Sequence, residues 1–174
     1  MEPWMIVGWI RRVWRILKDA LAGYEALEDK AWELDAELFQ LYYSLGQLYG
    51  SFMQALREDK IAEARELLKE AERNLEKFKK LIDKARDFNA KARREWDAIK
   101  DRAISKMLEI EEKMPEELKG KIHDVYFNIL FDLEHPLSVF AEFSDQYLSN
   151  AEWLVSLMKE KIEIAEEIAK KLGT

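Results

Sequence analysis

The chain has 174 residues, 36% of them charged and 48% hydrophobic, with a net charge of −7 and no cysteine. Disulfides, thiolate metal sites and cysteine nucleophiles are therefore excluded, and the acidic balance opposes broad affinity for nucleic acid. Six glycines and three prolines in so long a chain leave little material for turns, and the abundance of Ala, Glu, Lys, Leu and Arg favours long helices over strands. Residues 1–174 are read as a single helical-bundle domain. The lack of cysteine, with abundant Lys and Glu, is also a composition associated with proteins that work at high temperature.

The chain opens on Met1-Glu2-Pro3-Trp4, which lacks the basic start of a secretory leader, and Arg11, Arg12 and Arg15 interrupt any apolar run. The expected location is cytoplasmic, or at the membrane periphery. Pro3 suits the first position of a helix, where its missing N–H costs nothing. From there the apolar residues recur in 3-4 spacing through Ile6, Ile10, Val13, Leu17, Ala20, Tyr24, Leu27, Ala31, Leu34, Leu38, Leu41, Leu45, Leu48, Phe52 and Ala55, the stripe of coiled-coil-like packing. It passes Gly23 in phase, so one helix is predicted over about 3–57. Leu38 to Leu56 carries no charge and has the length of a membrane span. Gln40, Gln47 and Gln54 within it favour burial in protein.

Arg57-Glu58-Asp59-Lys60 breaks the pattern, with Asp59 a suitable N-cap. A second helix is predicted over about 60–113, with its stripe running through Leu68, Leu75, Ile82, Ala92, Trp96 and Ala103. Its phase slips before Met107, which relaxes a supercoil. Asn89, the lone polar residue of this stripe, is read as a register-setting core residue. The third segment follows Pro115, with Ile122, Val125, Phe140, Ala151, Met158, Ile162 and Leu172 as predicted core. Pro136 disfavours helix at His135, dividing the segment into 116–134 and 136–172.

The three segments are nearly equal, each about 80 Å if helical. The expected fold is all-α: an elongated antiparallel bundle of three long coiled-coil-like helices, the third kinked or broken at Pro136. A reversal at Pro136, giving a four-helix bundle, is the alternative. Folding the first hairpin about 58–59 sets the acids Glu25 to Glu37 opposite the basic Lys80, Lys84, Arg86 and Lys91, a charge pairing that selects orientation.

Catalytic chemistry finds little to stand on. A di-iron bundle needs two Glu-x-x-His pairs and two more glutamates, whereas this chain has two histidines, His123 and His135, and one half-match at Asp132-x-x-His135. No catalytic, cofactor-binding or metal-ligating residue is assigned and no cofactor is expected. A metal-dependent helical enzyme is the third-ranked reading. The basic run Lys77 to Arg94 is read as a solvated face, which makes nucleic acid an unexpected partner.

Two features exceed what a plain bundle needs. Residues 1–18 carry four basic side chains and one acid, net +3, and Trp4, Trp9 and Trp14 point in different directions on one helix. Trp4, Trp9, Arg11, Arg12, Trp14 and Arg15 form an expected face for an anionic membrane surface or a partner groove. The alternative is that this end is wrapped by Ile104, Met107, Leu108, Ile122 and Tyr126. The second feature, Phe39, Tyr42, Tyr43, Gly46, Tyr49, Gly50 and Met53, lies beside the main stripe. A helix apolar on several sides is buried on several sides, so self-association is expected here. The leading functional reading is a non-enzymatic structural or interaction protein whose partner is another copy or another helical protein. Peripheral membrane attachment is second.

Overall fold

A computed structural model describes residues 2–173; Met1 and Thr174, the ends of the expected single domain, lie outside the described residues. Four helices are present: α1 (Pro3–Ala20), α2 (Tyr24–Arg57), α3 (Ile61–Glu111) and α4 (Glu116–Lys171), with no strand among the described residues. Pro3 takes the first turn of α1, as its fixed φ allows. Gly173, at φ 73°, ends α4 behind Lys170 and Lys171, cations that suit a helix C-terminus.

The expected single helix over 3–57 is corrected to two. Gly23 adopts φ 97°, a conformation that only glycine reaches without strain, and the chain turns through Leu21, Ala22 and Gly23 before α2 begins. The apolar stripe conceals this because its phase survives the turn: Leu17, Ala20, Tyr24 and Leu27 are all buried. Carbonyls freed at the end of α1 are taken up from α3. Arg102 Nε donates to the Ala20 carbonyl at 3.0 Å and its Nη2 to the Ala22 carbonyl at 3.1 Å, placing a cation at the negative end of α1.

A different device ends α2. The Lys60 N–H bonds the Ala55 carbonyl at 2.8 Å and the Asp59 N–H bonds that of Leu56 at 3.2 Å, the paired bonds of a Schellman motif. Asp59 sits at its left-handed position, φ 60°, where glycine is the usual occupant. It is thus the C-terminal residue of one motif, not the N-cap predicted for the next helix, which begins at Ile61. Asp59→Gly is expected to raise unfolding free energy by about 0.5–1 kcal/mol. Urea denaturation followed by helix signal checks this, and a loss of stability would show that the aspartate side chain matters more than its backbone.

The third segment continues past Pro136, which lies inside α4; the division into 116–134 and 136–172 is corrected, and the reversal held as the alternative does not occur. Tyr24 Oη donates to the Leu133 carbonyl at 2.8 Å, in the turn where proline withholds an N–H and crowds the helix carbonyls. The turn at Gly23 and the proline in α4 thus meet through one side chain.

Packing resolves into two units, one comprising residues up to Trp32 with Phe88–Phe140, the other Glu33–Asp87 with residues from Ala141 onward. In the first unit the core gathers Val13, Leu17, Tyr24, Trp96, Ile99, Met107, Ile122 and Tyr126. Tyr24 meets Trp96 edge to face at 5.5 Å, three positions beyond the residue that a fold about 58–59 would oppose to it. Lys100 reaches Glu134 while Glu111 reaches His123, so here α3 and α4 run antiparallel. In the second unit Phe52, Phe78, Ile82 and Met158 are among the most deeply buried side chains. Arg65 bonds Glu166 at 2.6 Å and Arg86 bonds Asp145 at 3.1 Å, again antiparallel. Arg86 of the α3 basic run therefore pairs with α4, not with the α2 acids expected to face it.

Several predicted core residues of the third segment are displaced. Val125 and Leu172 are exposed, while Tyr126, Leu130 and Val155 are buried instead. Asn89 is half-buried. Among the described residues the buried polar side chain is Ser144, whose hydroxyl donates to the Ala141 carbonyl one turn back at 3.0 Å.

Candidate interaction surfaces

Helical spacing gives α2 a second stripe opposite its core. Ala36, Phe39, Tyr43, Gly46, Gly50 and Met53 follow one another at intervals of three and four. Phe39 is 54% and Tyr43 58% exposed, their rings stacked at 6.4 Å. Met53 is half-buried, and so are Tyr42 and Tyr49 beside the stripe. The seven expected self-association residues thus divide into an outward group and a half-covered flank. That flank leads to α4: Tyr42 meets Tyr147 at 5.5 Å. Exposed Phe143 stands one turn before Tyr147, and Phe39 and Gly46 stand one turn either side of Tyr42. Apolar side chains thus border the α2–α4 contact on both helices, a feature invisible when each segment is read alone.

The glycines of this stripe are unexplained by the chain's own packing. A Cβ built on Gly46 or Gly50 meets nothing within 4 Å, yet each glycine inside a helix costs about 1 kcal/mol relative to alanine.

On α1 the three N-terminal tryptophans separate. Trp9 packs, half-buried, against the core formed with Val13 and Leu17. Trp4 and Trp14 stay exposed, at 72% and 50%. Met107, Ile122 and Tyr126 share the core that Val13 and Leu17 enter, with Ile104 packed against it; Leu108 is itself exposed, and Trp4 and Trp14 stay outside that core. Arg11, Arg12 and Arg15 are all exposed, with the Arg12 guanidinium 5.2 Å from the centre of the Trp9 ring. A cleft of about 370 Å³ opens here, lined by Trp9, Arg12, Arg102 and Lys106 together with Asp19 and Glu109. Its charges are mixed, and Arg102 is already committed to backbone carbonyls.

The histidines do not converge. His123 contacts Glu111 at 2.5 Å and stacks on Phe127 at 4.2 Å, whereas Asp132 and His135 are exposed. Among the described residues no group of three or more His, Asp or Glu is placed to hold a metal. No helix there is long and apolar enough to cross a membrane.

Three tyrosines carry raised phenol pKa values. Burial raises that of Tyr24 most, with the Glu28 carboxylate adding to it. Burial also raises those of Tyr126 and Tyr147, the latter with help from Asp35 and Tyr42. A folded-state pKa above the unfolded value favours the neutral phenol in the fold, so this stability is complete below about pH 10 and is lost as pH climbs through the folded values. Alkaline unfolding is therefore expected to accompany late ionisation of these phenols. Tyrosinate absorbance recorded beside the helix signal tests this; ordinary titration of every tyrosine with the fold intact would refute it.

No protein-family model and no curated protein matches the chain. Among solved structures, a computationally designed three-helix bundle aligns over 97% of this chain and 90% of its own, at 20% identity and a TM-score of 0.32. The described residues are all-α.

Proposed function

We propose that this protein is a non-enzymatic structural or interaction protein, a helical bundle that self-associates through the outer face of α2. One observation carries the reading: an uncharged 3-4 stripe, exposed from Ala36 to Gly50, in which Gly46 and Gly50 lack any contact of their own to account for them. A second stripe of this period is what a helix presents to another helix, and glycines at that spacing let two backbones approach closely. Apolar Phe143 on the neighbouring helix extends the same surface, and exposed patches of this kind mark interfaces.

A second copy is the expected occupant because the stripe carries no charge that would need an opposite partner. The test is the solution mass of the full chain over a wide concentration range, beside Gly46→Leu/Gly50→Leu. That variant improves helix propensity while filling the space a partner backbone requires. The expected result is an oligomer that dissociates in the variant with the protomer fold unharmed. A strictly monomeric full chain at high concentration would overturn the reading.

A further inference from the structure

The outer face of α1 differs in kind from that of α2. At 3.6 residues per turn, Trp4, Val7, Ile10 and Trp14 share an arc of about 120° whose Ile10 edge adjoins Leu17, while Val13, Leu17 and Ala20 turn inward. All four arc residues are exposed. Arg11, Arg15 and Lys18 cluster around the Trp4 end of the arc, also exposed, while the acids Glu2 and Asp19 fall outside it. We propose that this face lays α1 in the plane of an anionic phospholipid bilayer. Trp4 and Trp14 enter the boundary between headgroups and acyl chains, and the three cations reach the lipid phosphates.

Charge complementarity selects this occupant. Residues 1–18 are net +3 in a chain of net −7, so an anionic surface attracts this segment against the balance of the chain. Arginine and lysine beside an apolar arc extend their stems along it and keep their charges among phosphates. In a dry contact between two copies the same cations would be buried without carboxylates. The uncharged α2 face imposes no such cost, which separates the two surfaces by partner. With Arg11 at the arc and, among the described residues, no helix long and apolar enough to cross a membrane, α1 lies on the bilayer and does not pass through it.

The test is co-sedimentation of the full chain with vesicles of phosphatidylglycerol and phosphatidylcholine, and with phosphatidylcholine alone, at low and high salt. Two variants accompany it, Trp4→Ser/Trp14→Ser and Arg11→Gln/Arg15→Gln, each checked for native helix content; their exposed positions let both fold. The full chain is expected to pellet with anionic vesicles only and to be released by salt. Each variant is expected to partition about tenfold or more weakly, the arginine pair losing its attraction to lipid phosphates and the tryptophan pair its interfacial anchors. No pelleting of the full chain, equal pelleting on neutral lipid, or variants that bind as well as the parent would overturn the proposal. So would a change in solution mass caused by the tryptophan variant without lipid, because the face would then belong to a protein contact.

Discussion

Trp96→Ala is expected to lower the unfolding free energy by about 3–5 kcal/mol, a large share of the 5–15 kcal/mol typical of a folded domain. The indole is 2% exposed, sits edge to face with Tyr24, and fills the core of the first unit beside Ile99 and Ala103. Truncation leaves a cavity that helices anchored along their lengths cannot close. Trp96→Phe separates two contributions. It removes part of the apolar volume, but it also removes an indole N–H that has no hydrogen-bond partner. An unpartnered buried donor costs about 1–3 kcal/mol, so the phenylalanine variant is expected to lose far less than the alanine variant. Denaturant unfolding at matched m-values decides between them. Equal losses would mean that the indole nitrogen is satisfied.

Pro136→Ala is expected to act in the opposite direction, raising stability by about 1–3 kcal/mol. Proline inside a helix withholds one N–H and crowds the preceding turn, at a cost of about 3 kcal/mol; its restricted unfolded chain offsets part of that. The Asp132 carbonyl loses its i+4 donor to Pro136, and the Tyr24 hydroxyl donates to the adjoining Leu133 carbonyl, in the turn that the ring crowds. Tyr24→Phe should therefore cost about 1–2 kcal/mol in the parent and clearly less in the Pro136→Ala background, where the helix recovers its own hydrogen bonding. A double-mutant cycle measures this coupling. Additive effects would separate the hydroxyl from the proline, and a destabilised Pro136→Ala would make any distortion at the proline part of the native packing.

How far the sequence could be read varies along the chain. The inward faces of α1, α2 and α3 follow its 3-4 spacing closely: Val13, Leu38, Phe52, Ile82 and Trp96 are all buried as expected. In α4 the spacing is ambiguous, because apolar residues crowd several sides. Val125 and Tyr126 are adjacent, and the sequence favours either; the structure buries Tyr126, whose hydroxyl also reaches the Ile10 carbonyl. The α2 surface was legible as an excess of aromatics beside the main stripe. Its extension to Phe143 was not, since that depends on which flank of α4 meets Tyr42.

By itself the sequence determined the all-α class, the turn near residues 58–60, the core stripe of the first three helices, and the presence of apolar surface beyond what those stripes use. Periodicity carries this much because it records which side of a helix is apolar. It records neither whether the backbone between two in-phase residues stays helical nor which of two apolar sides finds a neighbour. The positive φ at Gly23, the passage of α4 through Pro136, the separation of Trp9 from Trp4 and Trp14, and the pairing of Arg86 with Asp145 were decided by tertiary structure. Each depends on a contact between residues distant in the chain: Arg102 on the end of α1, Tyr24 on the turn before the proline, one side of α1 on its core, and α3 on α4.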